Sequence, residues 1–418
     1  MDRRSLLAAT GGLLTASSAG CLRLSEQETG AATPSENGTD TETESVEEQE
    51  TPTEEETDPD EEISGDISGA PMFRYDAANT GTSPDETGPK NAVEEQWSAN
   101  SLGQVYSSPA VVDNTVYIGS SDGSVYAFAA ADGSEQWSYE TGDHVVSSPA
   151  GVDGTVYVGS EDNTVYALSA DDGAEQWSYG AAGIVNSSPA VVDGTVYVGS
   201  HDANVYALSA DDGTKQWSYE TGGSVASSPA VVDDTVYVGS SDGSMYALST
   251  DDGTEQWSYE TGDGVGSAPA VVDGTVYFGS YRARSDSGGG AVYALSAADG
   301  TELWSYQTEG YVGSSPAVVG NTVYVGSYDR SVYALATDDG TMQWSYDTND
   351  AVASSPAVVD GTVYIGSQDG NVYALSAADG TEQWSHGAGG NVFSSPAVVD
   401  GIVYVGTSDG TVFALSEQ

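Results

Sequence analysis

SSPAVVDGTVYVGS, residues 187–200, recurs in near-copy down most of a chain of 418 residues. Six apolar or small residues, an Asp193-Gly194 pair and a β-branched run read as strand, tight turn, strand. Gly supplies the positive φ that a two-residue hairpin needs. The following residues continue the pattern: His201-Asp202-Ala203, then NVYALS, then Ala210-Asp211-Asp212-Gly213, then TKQWSY. Each unit is therefore four short antiparallel strands, which is one blade of a propeller. The apolar positions alternate and show no 3.6-residue period, which excludes a helical repeat.

Eight tryptophans set the period: Trp97, Trp137, Trp177, Trp217, Trp257, Trp304, Trp344 and Trp384 stand 40 residues apart, with one interval of 47. Self-similarity at that length indicates a propeller or solenoid. The ring can be counted closed. Trp97 lies in a fourth strand that no first three precede, and the chain ends on three strands without a fourth. Joined, they predict an all-β, eight-bladed propeller of four-stranded antiparallel blades, sealed by pairing of the N-terminal strand with the last blade. The tryptophans are expected to wedge between blades as structural docking residues. The repeated prolines, from Pro109 to Pro396, occupy one slot at the channel-lining edge, where a missing N–H is tolerated.

The N-terminal seventy residues differ in kind. Arg3 and Arg4 precede a short, mild apolar stretch that ends Ser18-Ala19-Gly20-Cys21. This resembles a twin-arginine (Tat) export signal running into a lipobox, with Cys21 as the lipidated residue. The expected location is the outer face of the cytoplasmic membrane. Residues 22–69 are rich in Thr and Glu and almost free of basic side chains. Such a segment cannot bury enough apolar area to offset its ordering entropy, so it reads as a disordered tether to a propeller over 70–418.

Nine Lys and Arg stand against 65 Asp and Glu, a formal net charge of −56. That field repels nucleic acid and anionic lipid. It is tolerable in molar salt, where the Debye length is about 3 Å, and it points to a salt-loving source. With Cys21 as the single cysteine, no intrachain disulfide can form.

ALSADDGTKQW (207–217) resembles the tryptophan-docking motif of the quinoprotein, or PQQ-repeat, propellers, whose pattern is Ala-x-Asp-x-x-Thr-Gly-Lys-x-x-Trp. Ala207, Gly213 and Trp217 match, and Ser209, Asp212 and Thr214 depart. The lead-in FRYDAANTGTSP (73–84) belongs to the same resemblance. The family implies two functions. Its dehydrogenases bind PQQ and Ca²⁺ in the propeller centre, using adjacent cysteines, a Trp floor, basic residues on the quinone carboxylates and Glu/Asn calcium ligands. Its BamB-like lipoproteins are lipid-anchored assembly scaffolds without a cofactor. The absence of a cysteine pair and the commitment of every Trp to the repeat favour the second, in a haloarchaeal member. The expectation is a monomeric, non-catalytic binding scaffold for a protein or glycan partner, with no cofactor and no metal. PQQ-dependent dehydrogenase and surface carbohydrate-binding module are the alternatives.

Departures from the consensus mark candidate sites. The loop after the second strand reads Ser121, Glu161, His201, Ser241, Tyr281, Tyr328, Gln368, Ser408 around the ring. The fifth blade carries the single insertion, YRARSDSGGG, with Tyr281, Arg282 and Arg284. The sixth adds Tyr328 and Arg330, and the connection between them Tyr311. This sector is the candidate partner-binding site, since Arg and Tyr anchor interfaces. A second candidate is Tyr106 with Phe393, placed to stack at the channel mouth where blades one and eight meet.

Overall fold

The computed structural model describes residues 69–100, 103–281 and 289–418. Eight four-stranded antiparallel sheets form a closed ring. Blade one comprises Ala110–Val112, Thr115–Gly119, Ser124–Ala129 and Glu135–Glu140, and blades two to seven repeat that order. Blade five is Ala270–Val272, Thr275–Ser280, Ala291–Ser296 and Glu302–Gln307. Blade six is Ala317–Val319, Thr322–Gly326, Ser331–Ala336 and Met342–Asp347. Blade eight is completed by the N-terminal strand: Val93–Ala99 pairs with Val412–Glu417, Trp97 opposite Ala414. The predicted closure is the observed one.

The turn that the opening stretch predicts is present. Asp193 and Gly194 have φ of 48° and 71°, and Val192 pairs with Thr195 across them. Two consecutive left-handed residues define the turn whose twist matches a hairpin.

The cores lie between blades. Trp217 packs with Val225, Val236, Val238 and Leu248, bridging blades three and four. Its indole N–H donates to the Thr250 carbonyl of the next blade at 2.7 Å. The same bond recurs from Trp97 to Ala130, Trp137 to Ala170, Trp177 to Ala210, Trp257 to Ala297, Trp304 to Thr337 and Trp344 to Ala377. The indole also lies flat on the neighbouring turn: a Cβ on Gly253 would come within 2.6 Å of Trp217. Gly253 has φ of 71°, so glycine is required there for both space and backbone.

Residues 70–82 run along the inner strands that line the channel. The backbone carbonyls of Ala70, Pro71, Ala77, Ala78, Thr80 and Gly81 accept from Val111, Gly151, Val231, Val271, Val318 and Val358 respectively. Those partners are the innermost strands of blades one, two, four, five, six and seven, taken in order around the ring. The Tyr75 hydroxyl accepts from Val398 of blade eight at 2.8 Å. An inner strand edge would otherwise be a row of unpaired N–H groups. The lead-in caps it on seven of eight blades.

Candidate functional site

The channel opens on the face that carries the loops between second and third strands and the blade-to-blade connections. Its mouth is a cavity of about 180 Å³. The rim residues are Tyr106, Val146, Asn186, Ala226, Gly266, Gly313, Ala353 and Phe393, one from each blade, and Phe73 of the lead-in lies among them. Below the rim runs a belt of serines. Ser108, Ser148, Ser188, Ser315, Ser355 and Ser395 each occupy the position before the repeated proline, as does Ser228. The N–H of Ser108 donates to the Ser148 hydroxyl at 2.9 Å, Ser148 to Ser188 at 3.0 Å and Ser188 to Ser228 at 2.9 Å. The belt resumes from Ala268 to Ser315, Ser315 to Ser355, Ser355 to Ser395 and Ser395 to Ser108. It is broken once. Blade five has Ala268 where the others have serine, so the Ser228 N–H meets no hydroxyl.

Beneath the mouth sits Arg74, buried, with left-handed φ of 65°. Its guanidinium donates to the Pro316 carbonyl at 2.6 Å and to the Pro356 carbonyl. Desolvation lowers its pKa to about 10, against the nearby Tyr75 and Asp76, which raise it. Burial likewise pushes the Asp76 carboxyl up, opposed by hydrogen bonds from Thr80.

Both candidate aromatic groups converge on this mouth. Tyr106 and Phe393 are 5.3 Å apart between ring centroids, tilted by 60°. On the far side, the Tyr281 ring lies over Gly266, where a Cβ would come within 1.9 Å of its hydroxyl oxygen. Tyr311 and Tyr328 are 6.2 Å apart. Burial raises the Tyr281 pKa, with the neighbouring Tyr328 adding to it. Arg330 points elsewhere. It lines a separate outer cleft with Glu309, Asp329, Ser331, Tyr333, Asp347 and Thr348, and its φ of 81° falls where blade one has Gly123 at 89°. Arg282, Arg284, Cys21, Arg3 and Arg4 lie outside the described residues.

Two features escaped the reading of the sequence. Among the described residues, the exposed large apolar side chains are Tyr281, Leu303, Tyr311, Val319, Tyr328 and Met342, and all six belong to blades five and six or the link between them. Leu303 and Met342 break the Glu-Gln-Trp consensus of the outer strand, a visible signal that attention to the loops passed over. The second is a polar group on the mouth face. The Asn186 amide donates to Glu161 at 3.2 Å, and donor atoms of Glu161, Asp143 and His144 lie within 4.8 Å of one another. Those residues come from different loops, so no local motif announced them.

PQQ, the cofactor of the alternative reading, finds only part of its ligand set here. Glu161 with Asn186 supplies the calcium-ligand types that the resemblance implies. The quinone carboxylates, however, would need cations, and no Lys or Arg is among the residues lining the mouth. Arg74 gives its two terminal nitrogens to carbonyls below the mouth, and its Nε is buried without a partner, outside the residues that line the cavity. A cavity of about 180 Å³ is also small for a fused three-ring tricarboxylate. The residues present do not fit PQQ.

A ring of eight W-motif blades sewn by indole-to-carbonyl bonds defines a quinoprotein-type propeller. The chain belongs to the family described as outer membrane protein assembly factor BamB, which matches residues 91–149, 140–285, 261–356 and 347–418. No curated protein sequence matches. Among solved structures, BamB from Moraxella catarrhalis is 21% identical, with 78% of this chain and 98% of that one covered and a TM-score of 0.66. Quinohemoprotein alcohol dehydrogenase from Comamonas testosteroni is 19% identical over 83% and 80%, TM-score 0.69. A europium-containing methanol dehydrogenase is 15% identical over 84% and 98%, TM-score 0.71. At these identities the likeness is one of fold.

Proposed function

We propose that this chain is an exported, lipid-anchored, non-catalytic propeller that captures a protein partner through blades five and six. The observation that carries it is that, among the described residues, the exposed large apolar side chains all fall in that sector. In the other blades the Leu303 and Met342 positions are polar or charged, Gln136 and Glu135 in blade one, and the position of Tyr281 and Tyr328 is Ser121, Glu161, His201, Ser241, Gln368 or Ser408. Apolar anchors of this kind suit a partner segment that offers aromatic and aliphatic side chains. Membership of the BamB family supports a scaffold over an enzyme.

Gly69 lines a cleft with Asp113, Asn114, Asp153, Gly154 and Asp400, the hairpin turns of the face opposite the mouth, so the described chain starts on that face. Segment 22–68, fully extended, reaches roughly 150 Å.

Crosslinking in intact cells tests the proposal. Wild type is expected to capture a defined protein, and Tyr281→Ala with Tyr328→Ala to lose it without a change in melting. Capture unaffected by those changes removes the sector from the interface. The quinoprotein reading keeps one observation in its favour, the Glu161–Asn186 pair. Tight binding of added PQQ with Ca²⁺, followed by dye-linked alcohol oxidation, would establish it instead.

A further inference from the structure

We infer that the channel mouth binds a single terminal pyranose ring of a neutral glycan. The inference rests on the reading of the chain as a binding module and is independent of the blade five–six partner.

The seven belt serines each accept an N–H from a neighbouring blade. Among the described residues none of the seven donates its own hydroxyl proton to a protein acceptor. A serine hydroxyl carries one donor and two acceptor positions, so seven protons remain to be placed around one cavity. Two further groups there are unmatched. The Ser228 N–H faces Ala268, which has no hydroxyl, and Asn186 Oδ1 is buried without a hydrogen-bond partner. Buried polar atoms left so call for a ligand or ordered water.

The chemistry of the lining selects the ligand. No charged side chain is among the residues that line the cavity. An anion would meet hydroxyl donors but no cation, inside a protein of net charge −56. A metal cation would meet no carboxylate. A neutral polyol answers every unmatched group, because each of its hydroxyls both donates and accepts, as serine does. Phe73, Tyr106 and Phe393 supply apolar faces for the C–H side of a sugar ring. Size agrees as well. The cavity of about 180 Å³ is on the scale of one pyranose and its hydroxyls.

The test uses the full chain in molar KCl and saturation-transfer NMR with methyl α-D-glucopyranoside, methyl β-D-galactopyranoside and methyl α-D-mannopyranoside. Neutral oligosaccharides ending in the same sugars form a second arm, with glucuronic acid and sorbitol as controls. At least one neutral pyranoside is expected to receive saturation, and the anionic and acyclic controls to receive at least tenfold less. Oligosaccharide signal confined to the terminal ring identifies the glycan end as the source. Ala353→Trp, which fills the mouth from its rim, is expected to abolish the signal, and Ser188→Ala with Ser355→Ala to weaken it about tenfold or more. Ala353→Trp should leave the melting temperature unchanged. Silence from every neutral pyranoside means the cavity holds water only and overturns the inference, as does a signal that survives Ala353→Trp. Protein capture through Tyr281 and Tyr328 is read separately, so either result stands without the other.

Discussion

The Trp384 indole donates to the Pro89 carbonyl at 2.7 Å, and this bond closes the ring. At each other junction the acceptor belongs to the turn between third and fourth strands of the next blade. Blade eight has no such turn, because its outer strand comes from the N-terminus, and the lead-in supplies Pro89 in its place. The Tyr364 hydroxyl donates to the same carbonyl at 3.1 Å. A chain starting at residue 93 therefore loses the acceptor for two buried donors and uncaps seven inner strands. It is expected to melt well below a chain starting at residue 69, which should match the full-length protein. Equal melting temperatures by calorimetry would show that the lead-in is dispensable.

The docking tryptophans are interchangeable by geometry and should be so by energy. Trp217→Ala removes a buried indole and orphans the Thr250 carbonyl. The expected loss is about 3–5 kcal/mol. Trp217→Phe restores part of the volume but not the bond, and should recover part of that loss. Chemical denaturation of both variants measures it, and a loss under about 1 kcal/mol for the alanine variant would contradict the docking role.

Arg74 holds blades six and seven through Pro316 and Pro356. A lysine is a point donor and cannot span two carbonyls as a planar guanidinium does. Arg74→Lys is expected to cost about 1–3 kcal/mol, in line with a buried acceptor left unmatched. A Lys variant as stable as wild type would mean that one of the two bonds carries nothing.

The ring was legible because its parts repeat. Periodicity, the Asp-Gly turns and the missing strand at each end fix eight blades and their closure without long-range information. What eluded the sequence is what happens once. FRYDAANTGTSP has no alternation and no period, yet its carbonyls find partners on four blades and its Tyr75 hydroxyl on a fifth, which no local pattern connects to it. The serine belt was written in seven of the eight copies but read as an edge, because a hydroxyl reaching the next blade is invisible until the blades are placed. The tyrosines of blades five and six were legible as exceptions. That Tyr281 lies over Gly266 at the channel mouth depended on the glycine leaving space there, which only the packing reveals.

Acid should weaken the fold through its turns. Asp122, Asp202 and Asp369 occupy one loop position, and partial burial there, which would raise their carboxyls, is outweighed by hydrogen bonds from tyrosine hydroxyls and backbone N–H groups. Asp132, Asp172, Asp212, Asp252, Asp299, Asp339 and Asp379, exposed in the outer turns, are also held low by hydroxyl and backbone donors. A folded pKa below the unfolded value gives stability that is present above about pH 4 and lost as pH falls through the folded value. Asp76, raised by burial, acts in the opposite sense, one residue against ten. The melting temperature in molar KCl, where self-repulsion is screened, is expected to drop steeply below about pH 4. A flat profile through that range would exclude the turns as the acid-sensitive element.

Restoring the consensus separates interface from fold. In four junctions an outer-strand tyrosine donates to a glutamate on the next blade: Tyr139 to Glu175 at 2.5 Å, and likewise Tyr219 to Glu255, Tyr259 to Glu302 and Tyr346 to Glu382. Between blades five and six the glutamate is replaced, and Tyr306 meets the Met342 sulfur at 3.4 Å. Thioether sulfur is a weak acceptor. Met342→Glu rebuilds the missing bond, and Leu303→Gln returns a polar residue to an exposed strand. Together they should hold or raise stability by a few tenths to about 1 kcal/mol, while partner capture falls at least tenfold. A drop in melting temperature would show that the two side chains serve the fold. Capture at the wild-type level would confine the interface to the tyrosines above them.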